Sequence, residues 1–132
     1  MLRRTSCWIY LVATVAWSTN AQATDFEHVW SCELLPGQGL DDARAAAADW
    51  LRAAHSMPGG NEIRVSLRWP IAVAESAERF EFVLRMPSLE DWGRFYDRYD
   101  PGSPVGKADE AFARVASCSG STLWEVIPAG DL

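Results

Sequence analysis

Strict alternation of apolar and polar residues marks two segments in the middle of the chain. In residues 62–69 and again in residues 79–86, every second side chain is apolar. A period of two separates the faces of a β-strand, so both segments predict strands with one covered face and one face that is wet or partly lined. Residues 27–35 and 121–127 also have strand character.

Helical spacing of apolar residues predicts three helices between these strands. The first is Leu40–His55, with an apolar stripe on one side. The second opens at Ser88, which we expect to be the N-cap, with Asp91 in a capping-box position. A shorter helix is expected over residues 107–116, with Ala111, Phe112 and Val115 as its apolar side. Residues 101–104 are read as a break, and residues 117–120 as a turn.

The order of these elements, β-α-β-β-α-(α)-β, predicts the fold class. It is the split βαβ, ferredoxin-like arrangement of the α+β class. We expect a four-stranded antiparallel sheet in spatial order 4-1-3-2, with the helices on one face. Such a sheet has a second, open face, which a second copy of the chain often covers.

The first 23 residues have the pattern of a secretory signal peptide. Arg3 and Arg4 precede an apolar stretch over residues 7–17, and Ala21-Gln22-Ala23 forms a small-residue cleavage site. The alternative is an uncleaved anchor, but a bilayer-spanning helix needs roughly 20 apolar residues. We therefore expect cleavage after Ala23, a single domain over residues 24–132 with no membrane segment, and a periplasmic or secreted location.

Charge and cysteine content narrow the function classes. Without Arg3 and Arg4, 10 basic residues face 18 acidic ones, a net charge of −8, which disfavours binding to nucleic acid. Cys32 and Cys118 form an even pair in an exported chain and predict a disulfide around 85 intervening residues. The chain-entropy description gives about 4–5 kcal/mol for such a loop. A zinc site or a redox pair is the weaker alternative, and no metal or cofactor is expected.

Several short segments are informative together: Trp-Ser-Cys at 30–32 with the glycine turn at 37–39, Trp50, and the helix opening at 87–93. They resemble the dimeric α+β-barrel superfamily, which includes the antibiotic-biosynthesis monooxygenases. More narrowly, the chain is similar to exported bacterial proteins of that superfamily that have no assigned role. The resemblance implies a side-by-side homodimer with a small pocket between sheet and helices. No catalytic set of a characterised member maps onto this chain.

Histidines are the first candidates for chemistry. His28 projects from the first strand on the same side as Trp30, where it could be a catalytic base or a haem ligand. The alternative is a strand histidine whose nitrogens are hydrogen-bonded within the protein. His55 falls at a helix C-terminus, where a structural role is expected.

Three arginines form a second candidate, a site for an anionic ligand. If residue 69 pairs near residue 80, Arg68 meets Glu81, and Arg64 meets Arg85. Opposed arginines repel unless an anion lies between them, and a ligand carboxylate or a glutamate from a partner subunit could supply it. The alternative is a solvated face with weak salt bridges.

Aromatic residues on the second helix form the third candidate. Trp92 and Tyr96 recur at helical spacing with Phe95 and Tyr99, and they could line a small-molecule pocket or belong to the core. Two functional hypotheses follow. The first is a non-enzymatic homodimer that binds a small molecule or another protein. The second is a cofactor-independent monooxygenase-like or isomerase-like enzyme that uses His28 and the aromatic helix face.

Overall fold

The computed structural model describes residues 25–72 and 78–130, which form four strands and three helices. Along the chain they are β1 (Asp25–Leu34), α1 (Leu40–His55), β2 (Arg64–Arg68), β3 (Arg79–Met86), α2 (Leu89–Tyr96), α3 (Pro104–Phe112) and β4 (Ala116–Val126). The predicted signal peptide, residues 1–23, lies outside the described residues. Within them, no helix is long and apolar enough to cross a membrane.

The sheet has the predicted topology. Its strand order is β2-β3-β1-β4, all neighbours are antiparallel, and the first and last strands lie side by side. The three helices pack on one face, where Trp50 of α1, Phe95 of α2 and Phe112 of α3 join the apolar side chains of the strands in a single core. The α+β, ferredoxin-like prediction is confirmed.

Helix α1 forms where its composition predicts it. Small side chains at Ala43, Ala47 and Ala54 are buried and let the helix approach the sheet, while Trp50 fills the space between them. The backbone N–H of Gly39 donates to the Asp42 carboxylate (2.8 Å), which gives this N–H at the start of the helix a hydrogen-bond partner. The predicted bounds, Leu40–His55, are those observed.

The two later helices are capped by serines. Ser88 Oγ accepts from the backbone N–H of Asp91 (3.1 Å), as expected for α2. For α3 the prediction was three residues late, because Ser103 is an N-cap that accepts from Gly106 N–H (3.0 Å) and Pro104 occupies the first helical position. Proline is favoured there because that N–H would be unpaired in any case.

Strand β4 begins earlier than predicted, at Ala116 rather than Ser121. The expected turn over residues 117–120 is instead strand with a bulge: pairing to β1 shifts register between Trp30 and Ser31, beside Gly120, whose φ is +63°. A disulfide joins Cys32 to Cys118, which are directly opposite each other in the ladder. Pairing with β1 and this covalent link keep the segment in the sheet.

Candidate functional site

A cleft of about 480 Å³ opens between the helices and the β1–β4 side of the sheet. Six aromatic rings line it, from the sheet and from the helical layer: Trp30, Phe82, Trp50, Tyr96, Tyr99 and Phe112. His28 and Asp109 add ionisable groups to the lining, and Cys118 of the disulfide lies at the β4 side. The volume is that of a site for a small molecule, and the wall is predominantly apolar.

His28 is held in this cleft by two side chains of the α2 helix. The residue is 9% exposed. Its Nδ1 accepts a hydrogen bond from Trp92 Nε1–H (3.3 Å) and lies 3.1 Å from the Tyr96 hydroxyl. The imidazole also packs on Trp30, with ring centroids 3.8 Å apart.

The hydrogen bond from Trp92 decides where the histidine proton lies. An indole nitrogen is only a donor, so Nδ1 must be the unprotonated nitrogen and neutral His28 carries its proton on Nε2. Nε2 has no partner among the described residues. Since every fully buried polar side-chain atom of those residues has a partner, Nε2 reaches the accessible surface, and His28 is one of the residues that line the cleft. We infer that His28 presents this N–H donor to the cleft.

Burial shifts the pKa values of His28 and Tyr96 so that both side chains are neutral. Desolvation lowers the pKa of His28 below its ordinary 6.5, so the ring is neutral at pH 7. Desolvation, with a smaller contribution from the charge of Asp109, raises the pKa of the Tyr96 hydroxyl far above its ordinary value. A neutral imidazole with Nδ1 occupied is a poor general base and a poor haem ligand through Nε2, because either role needs Nε2 without its proton.

The arginines lie on the other face of the sheet, and they surround a residue that the sequence analysis did not single out. The predicted register is confirmed: Arg68 pairs with Glu81, and Arg64 with Arg85. Arg85 turns to Glu27 of β1, with Nε 3.1 Å from Oε1, and Arg68 forms an ion pair with Oε2 of the same carboxylate. Arg68 also binds Glu81 (3.2 Å).

Glu27 is the anion between the arginines, and it comes from the same chain. It is 5% exposed, and hydrogen bonds from Arg85 and then Arg68 lower its pKa against the effect of desolvation. The Arg68–Glu27 pair spans Val83, which is 1% exposed although the helices pack on the opposite face. Alternation with Val29 and Ser31 is the signal that places Glu27 on this face.

The structure thus separates the residues predicted to bind a ligand. Trp92 and Tyr96 contact His28 on the helix-covered face, whereas Arg64, Arg68 and Arg85 lie on the open face. The second histidine has the structural place expected for it, with His55 Nε2 2.8 Å from the carbonyl oxygen of Ile63.

Comparison with known proteins shows the fold. No family model and no curated protein matches the chain. The chain is similar to the solved structure of SnoaB, a cofactor-independent oxygenase from Streptomyces nogalater, at 10% identity with a TM-score of 0.55, covering 81% of this chain and 97% of that one. A dimeric ferredoxin-like protein of unknown function from Thermobifida fusca is similar at 11% identity with a TM-score of 0.52, covering 80% of this chain and 93% of that one.

A third solved structure is also similar to the chain. It is a putative antibiotic biosynthesis monooxygenase from Chloroflexus aurantiacus, at 14% identity with a TM-score of 0.49, covering 81% of this chain and 97% of that one. The resemblance to dimeric α+β-barrel proteins inferred from the sequence is confirmed for the fold. Identities this low carry no activity from one protein to the other.

Proposed function

We propose that this protein binds a small planar aromatic compound that carries a carbonyl group, in the cleft beside His28. One observation carries the proposal: His28, whose Nε2–H has no partner among the described residues, lines an aromatic-walled cleft of about 480 Å³. Aromatic walls favour a flat apolar ligand through stacking and edge contacts. The donor favours a ligand with an acceptor atom, and a carbonyl oxygen is the simplest one on an aromatic frame.

Binding of fluorenone and of fluorene, which has the same ring system without the carbonyl, tests this proposal. Trp30 and Trp50 lie in the cleft, so quenching of tryptophan fluorescence reports occupancy. We expect fluorenone to bind about tenfold more tightly than fluorene, the effect of one hydrogen bond of about 1.4 kcal/mol. In His28→Leu this preference should vanish while fluorene affinity is kept, and in His55→Gln it should persist. Equal affinities in the wild type would contradict the proposal.

A second candidate, a cofactor-independent oxygenase, uses the same cleft. It requires a polar group that lines a cavity rather than one turned to bulk solvent, and His28 is nearly buried and lines the cleft. SnoaB, which shares the fold, is described as such an oxygenase. Dioxygen uptake with α-naphthol, absent in His28→Leu, would support this activity. Uptake no faster than without protein would exclude it for this class of probe.

We also propose that the protein is exported to an oxidising compartment. It is supported by the signal-peptide pattern of residues 1–23 and by the Cys32–Cys118 disulfide, which is compatible with an oxidising compartment. Mass spectrometry of the protein from the expressing cell should show a chain that begins at Thr24 and lacks the two thiol hydrogens. An intact chain with free thiols would contradict export.

We further propose that two copies of the chain form a homodimer through the open face of the sheet. The Thermobifida fusca protein that shares the fold is described as dimeric. On this chain, Trp124 of β4 lies on the open face beside Glu27 and is 56% exposed, which leaves apolar area for a second copy to cover. Light scattering should give twice the chain mass at micromolar concentration. A monomer mass at high micromolar concentration would contradict this assembly.

A further inference from the structure

Asp109 of α3 is a second ionisable group in the cleft, and the proposed binding role does not use it. One carboxylate oxygen, Oδ1, accepts from Trp50 Nε1–H (2.6 Å), and the other, Oδ2, accepts from the Tyr99 hydroxyl. No other carboxylate of the described residues lines this cleft. Burial raises the pKa of Asp109, in spite of the hydrogen bond from Trp50.

His28 and Asp109 are held in the same manner but offer opposite chemistry. Each is bound by one indole N–H and lies against one phenol, and the two phenol rings, Tyr96 and Tyr99, stack with centroids 5.8 Å apart. At His28 the arrangement leaves an N–H donor. A carboxylate has about four acceptor positions, so Asp109 keeps acceptor capacity after two hydrogen bonds. The cleft therefore holds one fixed donor and one base.

We propose that His28 and Asp109 act together to remove a proton from the carbon next to the carbonyl group of a bound aromatic ketone. This inference rests on the proposed function, because the carbonyl must first be bound by His28. The pair would give the protein an enolisation activity that needs no metal, cofactor or oxidant.

The proton transfer balances without a further reactant. The C–H bond next to the carbonyl breaks, and its proton goes to a carboxylate oxygen of Asp109. The electron pair of that bond forms the carbon–carbon double bond of an enolate, while the carbonyl π electrons move to oxygen, which the Nε2–H of His28 stabilises. A neutral imidazole can polarise a carbonyl in this way. Return of the proton regenerates the ketone, or gives an isomer if another carbon receives it.

Environment suits the carboxylate to this role. A general base works best when its pKa approaches the working pH, and burial moves the pKa of Asp109 in that direction. The hydrogen bonds from Trp50 and Tyr99 hold the group in position. Glu110, the next residue of α3, is exposed and does not line the cleft, so it provides a matched control.

Exchange of the protons next to the carbonyl of β-tetralone for deuterium, followed by proton NMR in D₂O, tests the inference. We expect the protein to accelerate exchange, Asp109→Asn to slow it by at least about 100-fold, a typical contribution of a general base, and Glu110→Gln to leave it unchanged. His28→Leu should slow exchange as well. Fluorenone has no exchangeable proton beside its carbonyl, so its binding shows whether the cleft is intact in Asp109→Asn and Glu110→Gln, and fluorene binding shows the same for His28→Leu.

Three results would count against the inference, and they differ in what they leave standing. Exchange no faster than without protein, with fluorenone still bound, overturns the proton transfer and leaves the binding function. Equal loss in Glu110→Gln and Asp109→Asn assigns the effect to general charge and overturns the role of Asp109. Failure of the wild type to bind fluorenone overturns both proposals.

Discussion

Glu27 and His28 are neighbours in β1, yet their side chains lie on opposite faces of the sheet and differ in how fully they are hydrogen-bonded. Both are nearly buried, at 5% and 9% exposure. On the open face, both oxygens of Glu27 are engaged by Arg68 and Arg85. On the helix-covered face, Nδ1 of His28 is engaged, while Nε2 has no partner among the described residues.

This difference separates a structural polar group from a candidate functional one. The Glu27 carboxylate accepts hydrogen bonds from two arginines that neutralise its charge, and a second anion could bind those arginines only by displacing Glu27. A buried imidazole with one nitrogen unpaired has bonding capacity that a ligand can use. Burial alone does not distinguish the two residues, whereas a count of their hydrogen bonds does.

The largest expected effect comes from removing the disulfide between β1 and β4. Cys32→Ala with Cys118→Ala should lower the free energy of unfolding by about 4 kcal/mol, because the unfolded chain regains the entropy of a long loop. Urea unfolding of the variant measures the loss, and reduction of the wild type should produce a loss of similar size. A change below about 1 kcal/mol would show that the pairing of β1 with β4 is sufficient without the covalent link.

Removing the Glu27 carboxylate from the open face should lower the stability of the fold and leave ligand binding in the cleft unchanged. Glu27→Gln should lower the free energy of unfolding by about 2–3 kcal/mol at neutral pH, since two arginines lose their shared anion. Glu33→Gln, on the same face but with both partners exposed, should change it by less than about 0.5 kcal/mol. Fluorenone affinity should be unchanged in both variants.

The pH dependence of that loss has a fixed sign. The folded-state pKa of Glu27 lies below its ordinary 4.5, so its stabilisation is present above that value and disappears as the pH falls through the folded pKa. The difference between wild type and Glu27→Gln should therefore be largest at neutral pH and shrink in acid. A difference that grew as the pH fell would contradict the ion-pair assignment.

The parts of the fold that follow from local sequence could be predicted. The register that pairs Arg68 with Glu81 follows from two strictly alternating segments joined in a hairpin, and α1 follows from an alanine-rich stripe with aspartates in its first turn. The side of β1 on which His28 lies follows from the same alternation that places Trp30.

The site depends on contacts that no local pattern contains. The placement of Glu27 beside Arg85 needs both the strand order and the register, and the Trp92–His28 bond joins residues 64 positions apart. Asp109 was missed because α3 was placed three residues late, which assigned Ala111 to its apolar side; Ala111 is in fact exposed. Reading Ser103-Pro104 as a helix start corrects that phase.

Trp92→Phe tests the hydrogen bond that fixes the tautomer of His28 on the helix-covered face. The variant removes the donor that fixes Nδ1 of His28 and should cost about 1 kcal/mol of stability, the net value of one hydrogen bond. Nitrogen NMR of the imidazole should show the Nε2–H tautomer in the wild type and a mixture in the variant. Trp124→Phe, on the open face, should leave the tautomer unchanged. An Nδ1–H tautomer in the wild type would contradict the donor assigned to the cleft.

The smallest expected effect is at Arg64, which makes no ion pair within the described residues. Arg64→Ala should change the free energy of unfolding by less than about 0.5 kcal/mol, as at other surface positions. Phosphate tests the remaining prediction of an anion site on this face. Because Arg68 and Arg85 already share Glu27, we expect phosphate to leave the unfolding midpoint of the wild type unchanged. A midpoint that rises with phosphate in the wild type but not in Arg64→Ala would establish an anion site between Arg64 and Arg85, and the open face would then have a binding role as well as a structural one.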